Sequence, residues 1–528
     1  MALGYISLIL HAHLPYVRHP EHPQFFEERW LFEAINECYL PLIEVFDRLL
    51  NDGVPFRLAF SLSPTLVAML EDDLLQRRHM EHTARMIEIA EREIRRLHND
   101  ARFHPLAVGY RDFYRGAARA FETRCRRRVA RVFREYAEAG VLEPLAGAAT
   151  HAYLPLWKAH APTVRAQLAV GAAEARLVWG AVPRGAWLPE CGFYPGLECE
   201  LAARGLRYFI VESHGVLRAS SRPRGGVHAP IACPNGVAAF ARDPECSQQV
   251  WSAEEGYPGD PVYRDFHADA GHEIEPALLA EWLPGAIGPA PIGLRYYRVT
   301  DRRGGPKQPY RPAEAAARAA EHAEDFVRKR IAQLERRVPA LEIPPIIVAP
   351  FDAELFGHWW FEGPRWLEGV IRRLADTSSL ELATPGDYLE RHPRLQCAVP
   401  AESSWGRGGA HAVWMEGGAD YLQPRVRAAA ETLTALARDF RDLPLHALPA
   451  RAARQAARSL MLAQASDWPF LIHTGAAPEF AKKTLRDHLA RFHYLATALR
   501  AGAVDERRLR AIELLDAVFP ELDLSVWT

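Results

Sequence analysis

Seven short apolar runs, each ending in a polar or charged residue, recur along this chain and restrict it to few architectures. They are Tyr5–Leu10 ahead of His11 and His13, Arg57–Leu62 ahead of Ser63, Leu145–Thr150 ahead of His151, and Ala186–Pro189 ahead of Glu190. The last three are Tyr208–Val211 ahead of Glu212 and His214, Val237–Ala241 ahead of Arg242 and Asp243, and Ile346–Phe351 ahead of Asp352. Segments of helical period, such as 31–50 and 162–177, separate several of them. Strand and helix in alternation give a parallel sheet, and seven or eight such units close into a barrel. A parallel barrel carries its working groups at the C-terminal strand ends. The polar residues that close the runs are therefore the candidate site.

Two spacings exceed a simple βα unit. Residues 66–140 hold charged helical sequence such as 77–97, which predicts a helical insert around 70–140. The stretch 246–343 opens on the aromatic, Gly- and Pro-rich Gly256–Tyr263 and closes on an expected helix at 313–338. Long loops around 215–235 and 246–312 are expected to shape a substrate groove. Beyond residue 395 the strands cease. Segments 424–442, 449–465, 478–502 and 505–518 read as amphipathic helices, several opened by proline. The expected division is a catalytic unit over 1–395 and a C-terminal α-helical domain over 396–528.

Composition narrows the function classes. Hydrophobic residues at 49% and charged residues at 25% describe an ordinary globular chain. A formal net charge of -2 argues against nucleic acid as a partner, and the basic run 124–128 reads as a solvated helix face. No stretch approaches ~20 uninterrupted apolar residues, and residues 1–10 lack the features of a signal peptide. Seven scattered cysteines form no disulfide or metal framework. A cytoplasmic protein is expected, monomeric or weakly homo-oligomeric, with no membrane partner.

Two run endings carry carboxyls among aromatic rings. One is Trp187-Leu-Pro-Glu190-Cys-Gly-Phe-Tyr194; the other is Asp352-Ala-Glu354, followed by His358, Trp359, Trp360 and Phe361. Paired carboxylates at strand ends, beside rings on which a sugar can stack, are the ingredients of glycosidic bond chemistry. Each acid has a plainer reading as a helix N-cap. His11 and His13 alternate on a strand, so both imidazoles point to one side. The same spacing suits a metal-dependent hydrolase, with His151, His214 and Asp352 as further ligands. That alternative leaves the aromatic surroundings of both acids unexplained, and no lysine ends any run. Trp405, in a glycine-rich loop, reads as a ligand platform, whereas Trp414 reads equally as core. Asp467 interrupts an expected helix and reads equally as a cap or as a binder of a sugar hydroxyl.

At these residues the chain resembles glycoside hydrolase family 57, and within it the 1,4-alpha-glucan branching members. The resemblance lies in His11–Tyr16, Ala149–Pro155, Trp187–Cys191, Ala349–Trp360 and Ser403–Gly406, which follow the five family regions in order. It extends to Arg242–Glu245, Gly256–Gly259 and Ser466–Phe470. It implies a (β/α)7 barrel with a helical insertion and a C-terminal α-helical domain. It also implies a retaining mechanism on α-glucan, with Glu190 as nucleophile and Asp352 as general acid/base, about 5–5.5 Å apart. No metal or other cofactor is implied. His11, His13 and His151 would surround the reacting glucose, Trp30, Trp405 and Trp414 would line the groove, and Trp360 would be a further substrate-binding residue. Arg264, Gly293, Trp405 and Asp467 match glucan-contacting positions. The alternatives within the family are an α-amylase-like hydrolase and a 4-α-glucanotransferase. Three positions depart from the pattern: Gly225 stands where a loop-tip tyrosine is expected, Ala410 replaces an aromatic, and Ala476 a polar residue. The expectation is glucan transfer with a high share of hydrolysis, with His228 as a replacement for the missing ring.

Overall fold

The computed structural model describes residues 2–252, 255–282, 290–301, 305–336, 343–418, 420 and 422–528. Ten strands form one sheet. They are β1 (Gly4–Ala12), β2 (Leu58–Leu62), β3 (Leu142–Ala146), β4 (Gly185–Ala186), β5 (Tyr208–Val211), β6 (Ile231–Ala232), β7 (Ala238–Ala241), β8 (Ile346–Asp352), β9 (Leu380–Leu382) and β10 (Gln396–Cys397). The path β7-β5-β4-β3-β2-β1-β8 is parallel throughout and corresponds to the seven runs. Its two ends meet where the Asp243 N–H, just past β7, donates to the Val348 carbonyl of β8 at 2.8 Å. The architecture is a (β/α)7 barrel with a C-terminal helical region. The short strands β6, β9 and β10 add to it at β7, β1 and β6, and no apolar run announced them.

Side-chain alternation sets what faces the barrel axis. In β1, Ile6, Leu8 and Leu10 join the outer core beneath the helices. Ile9 and, part-buried, Tyr5 join Trp187, Tyr208, Ile210, Phe240, Ile346 and Val348 in a separate inner cluster. With period two, His11 and His13 follow Tyr5 and Ile9 to the inner side, at the C-terminal mouth. Two runs lie differently from expectation. β3 spans 142–146 rather than 145–150, because the Ala149 N–H turns away to the Gln167 carbonyl. β4 keeps its ladder only at 185–186: Pro189 has no N–H to give, and the chain enters a 3₁₀ turn at Pro189–Cys191.

Helices Asp73–Arg96, His104–Thr123 and Val129–Glu138 occupy the expected insert. The C-terminal helices are Gln423–Phe440, Leu448–Ala463, Pro478–Arg500 and Glu506–Leu515. The 448–463 helix is buried along nearly its whole length, and its alanines let 478–500 pack closely against it. A further helix, Asp467–Thr474, was not anticipated: Asp467 opens it rather than interrupting one. Residues 337 and 338 of the expected 313–338 helix, and parts of the 246–312 loop, lie outside the described residues. Among the described residues no helix is long and apolar enough to cross a membrane.

Candidate active site

Strand register assembles the first part of the site. His11 of β1 lies level with Ser61 of β2 on one side and with Asp352 of β8 on the other. His11 Nδ1 is 3.1 Å from Ser61 Oγ, and its Nε2 is 3.0 Å from His151 Nε2. His151 Nδ1 pairs with Ser466 Oγ at 2.8 Å. His13 Nδ1 pairs with Ser63 Oγ at 2.8 Å, and its Nε2 with Asp467 Oδ1 at 2.9 Å. The rings stack, His13 on His151 at 3.8 Å and His11 on Trp187 at 4.8 Å between centroids. Protein partners thus occupy every nitrogen of the three imidazoles. Among the described residues no three His, Cys, Asp or Glu side chains gather as a metal site.

The C-terminal helices supply Ser466 and Asp467 to this cluster. Their segment docks on the loop after β3 through the Ala152–Ala465 bridge and the Ser466 N–H to His151 carbonyl bond of 3.2 Å. Among the described residues Asp467 Oδ2 is buried without a hydrogen-bond partner, an open acceptor beside His13.

Glu190 sits in a left-handed backbone conformation, φ 60°, followed by Cys191 at φ 51°; His151 is similar at φ 53°. Each such non-glycine residue costs about 1–3 kcal/mol, a strain that persists only where its surroundings enforce it. Here the enforcing contacts are visible. The Glu190 carbonyl accepts the Trp405 N–H at 3.0 Å, and Phe193 bridges to Ser403. The Trp405 indole N–H then donates to Glu190 Oε2 at 2.6 Å, while Oε1 lies 4.0 Å from His151 Nδ1 and the Ser466 hydroxyl also supports the carboxylate. Trp405 is steadied by Trp187, edge-on at 5.1 Å, and by the Arg242 guanidinium 5.2 Å from its ring. Neither Glu190 nor Asp352 caps a helix through its side chain.

A third carboxyl, Glu354, joins the pair. It accepts the Tyr39 hydroxyl at 2.5 Å and the His13 N–H at 3.1 Å. Tyr39 belongs to a π-helical turn, Ile35–Tyr39, inside the helix running from Glu28 to Asn51. Three consecutive residues of the turn serve one loop. Glu37 Oε2 meets His358 Nδ1 at 2.9 Å, the Cys38 thiol donates to the Ala353 carbonyl, and Tyr39 holds Glu354. Gly357 makes the approach feasible: at φ 111° a Cβ there would lie 1.7 Å from the Glu37 carbonyl oxygen.

Protonation follows from burial and neighbours. Burial, then the charge of His13, holds His11 well below the ordinary imidazole value; His151 is held down in the same way. For His13 burial pulls downward too, but the Asp467 carboxylate, followed by Glu354 and Glu190, raises it above the ordinary value. Burial lifts Glu190 to about 7 against the opposing Trp405 N–H, and lifts Glu354 to about 7 against the Tyr39 bond. Asp352 is pushed well up, by burial and then by Glu354 and Glu190. Burial thus favours the protonated form at all three carboxyls, and at Glu190 the Trp405 N–H opposes it.

Other expected site residues sit further out. Trp30 is half-buried, edge-on to Phe480, whose ring also meets Trp468 beside Asp467. Arg264 is buried with its guanidinium over Phe361 at 4.0 Å; its Nε and Nη2 make no hydrogen bond among the described residues. Gly293, at φ 83°, is buried beside Met86 and Tyr114, and its N–H serves Asp269.

Three expectations are corrected. Trp360 is 1% exposed, packed on Tyr263 and Trp366, because its N–H bonds back to Leu355 and turns the ring inward. Trp414 is also core, stacked on Tyr153 at 4.2 Å behind Gly406. Gly225 is not over the site. The Arg224 N–H bonds Gln396, and the His228 carbonyl accepts from Ile346, the first residue of β8. Six residues of strand, roughly 20 Å, separate that point from Asp352. A Cβ at Gly225 would lie 2.3 Å from Ala229 Cβ, so a tyrosine is strained there. His228 is buried against Gln333 and Asp243 and cannot supply the missing ring. Conversely, Ser61, Ser466, Tyr39 and Glu354 were given no binding role, and Ser63 was named only as the end of a run. The alternation of Ser61 and Ser63 on β2, matching His11 and His13 on β1, was the signal available for two of them.

Comparison with known proteins agrees with this geometry. The profile of glycosyl hydrolase family 57 matches residues 7–287, and that of the 1,4-alpha-glucan branching enzyme C-terminal region matches 425–527. A 1,4-alpha-glucan branching enzyme of Thermococcus kodakarensis is 33% identical over 98% of this chain and 77% of its own length. The crystal structure of an alpha-amylase from Thermotoga maritima superposes with a TM-score of 0.91 at 38% identity, covering 99% of each chain. That of a GH57-type branching enzyme from Pyrococcus horikoshii gives 0.89 at 32%, covering 99% of this chain and 97% of the other. With paired carboxyls at the ends of a seven-stranded barrel and these matches along nearly its whole length, the chain belongs to glycosyl hydrolase family 57.

Proposed function

We propose that the protein is a 1,4-alpha-glucan branching enzyme, a retaining transglycosylase in which Glu190 is the nucleophile and Asp352 the general acid/base. The observation that carries the roles is the Trp405 indole N–H on Glu190 Oε2, which supports the anion a nucleophile needs, whereas burial beside Glu354 and Glu190 favours the protonated form of Asp352. Asp352 gives its proton to the glycosidic oxygen as that bond breaks, while Glu190 Oε1 bonds to the anomeric carbon. The glucosyl ester so formed keeps the donor chain on the enzyme. Asp352, now a carboxylate, takes the proton of an incoming hydroxyl as that oxygen displaces Glu190. A glucan 6-hydroxyl yields an α-1,6 branch, and water yields a reducing end. His11, His13, His151 and Asp467 hold the donor sugar, with the helices after residue 396 completing the groove of the 1–395 barrel. The substrates are amylose- or glycogen-type α-glucans, and a cytoplasmic address fits the seven unpaired cysteines.

The C-terminal branching-enzyme match and the name of the Thermococcus relative support branching. The 38% identity to an alpha-amylase, and a Gly225 segment lying at the far end of the barrel, favour a second reading with hydrolysis prominent. Incubation with amylose separates them: the expected products are debranching-sensitive α-1,6 linkages together with new reducing ends. Reducing ends alone would leave the hydrolase.

The same roles give a pH signature. Activity on the acid side requires ionised Glu190, so kcat/KM falls as pH drops through about 7. Trp405→Phe removes a charge-assisted bond worth about 1.5–3 kcal/mol. The anion loses support, the Glu190 pKa rises, and the acid limb moves to higher pH by roughly one to two units. A limb that stays in place in pH–rate profiles of the variant would contradict the assignment.

A further inference from the structure

The loop that carries Asp352 ends in two adjacent tryptophans that the backbone sends opposite ways. Trp359 N–H bonds the Glu354 carbonyl at 3.3 Å and Trp360 N–H the Leu355 carbonyl at 2.8 Å. Trp360 enters the core, whereas Trp359 is 53% exposed, the one exposed ring among the thirteen tryptophans. Burying such an aromatic stabilises a fold by about 1.5–3 kcal/mol, a gain forgone at this position.

The exposed indole packs against two neighbouring rings. Phe266 lies 4.5 Å from it and His358 5.2 Å, between centroids. The Arg295 guanidinium lies 4.5 Å from the Phe266 ring centroid, and its Nε–H bonds the Phe266 carbonyl at 2.7 Å. Arg295 and His358 converge on the buried Glu37, at 3.6 and 2.9 Å. Glu37 belongs to the π-turn that holds the Asp352–Glu354 loop. The circuit Trp359–Phe266–Arg295–Glu37–His358 therefore fixes an aromatic face in the same frame as the acid. A preformed ring costs little entropy when a ligand stacks on it, and the apolar C–H face of a pyranose suits the negative face of an indole.

Its side of the cleft follows from chemistry. The acid/base touches the oxygen that leaves and then the oxygen that arrives, so departing and accepting chains both lie towards Asp352. Trp405 and His151 lie towards Glu190. We propose that Trp359, backed by Phe266, is the stacking platform for the acceptor α-glucan chain. The proposal rests on the transglycosylase reading above.

With donor fixed and a maltooligosaccharide acceptor varied, Trp359→Ala is expected to raise the acceptor KM roughly three- to tenfold, the value of one aromatic contact. Trp359→Phe should recover most of the loss. An acceptor KM equal to the parent's overturns the proposal. Titration of maltoheptaose into Asp352→Asn, with and without Trp359→Ala, reads the platform without turnover. Binding weakened by a similar factor supports it, and equal affinity overturns it whatever products the parent makes. A parent that forms no α-1,6 linkages overturns only the branching reading.

Discussion

Glu190→Gln is expected to lower turnover of amylose by on the order of 10⁴-fold or more, the scale seen when a catalytic nucleophile is removed. The amide keeps the shape and still meets Trp405, so thermal unfolding should hardly move. Asp352→Asn is expected to be as severe on amylose but selective in a way that identifies its role. A donor whose leaving group is a nitrophenolate needs no proton, so its first step survives in Asp352→Asn and fails in Glu190→Gln. The glucosyl-enzyme then accumulates, because no base assists the acceptor, and added azide, which needs none, should release it. Near-normal activity of Glu190→Gln on amylose would remove the nucleophile assignment. Nitrophenyl substrates cleaved equally poorly by both variants would remove the distinction between the two roles.

Asp467→Asn is expected to lower kcat/KM on amylose by about 10- to 100-fold, from losing a charged hydrogen bond worth about 1.5–3 kcal/mol. Asp467 leads the forces that keep His13 protonated against burial. With an amide in its place His13 drifts towards the neutral ring, and its positive charge no longer steadies the carboxylates. The open Oδ2 acceptor is lost as well. The helix starting at Asp467 does not use its side chain as a cap, so stability should change little. Steady-state kinetics alongside calorimetry test this: a large fall in Tm with proportionate loss of activity would show a merely structural role.

The seven strands, their parallel order and the carboxyls at their ends were legible in the chain because each depends on local chemistry. An apolar run with β-branched residues pays its backbone entropy only in a sheet, and period-two alternation carries His11 and His13 to the same side as Ile9 wherever β1 pairs. Glu190 and Asp352 stood out because acids beside tryptophans at strand ends have few other reasons to be there. The tertiary structure decided which of the neighbouring residues look into the site. Trp359 and Trp360 are adjacent and chemically equal, and only backbone bonds to Glu354 and Leu355 turn one outward and the other in. Gly225 looked like a loop tip because the chain around it is rich in Gly and Pro, but its location depends on bonds to Gln396 and Ile346, more than a hundred residues away. Asp467 and Ser466 reach the histidines for the same reason, brought there by docking of a helical region remote in sequence. Contacts between distant segments leave no periodicity behind, so strand composition announces the barrel while the partners of its candidate active-site groups appear only once the chain has closed.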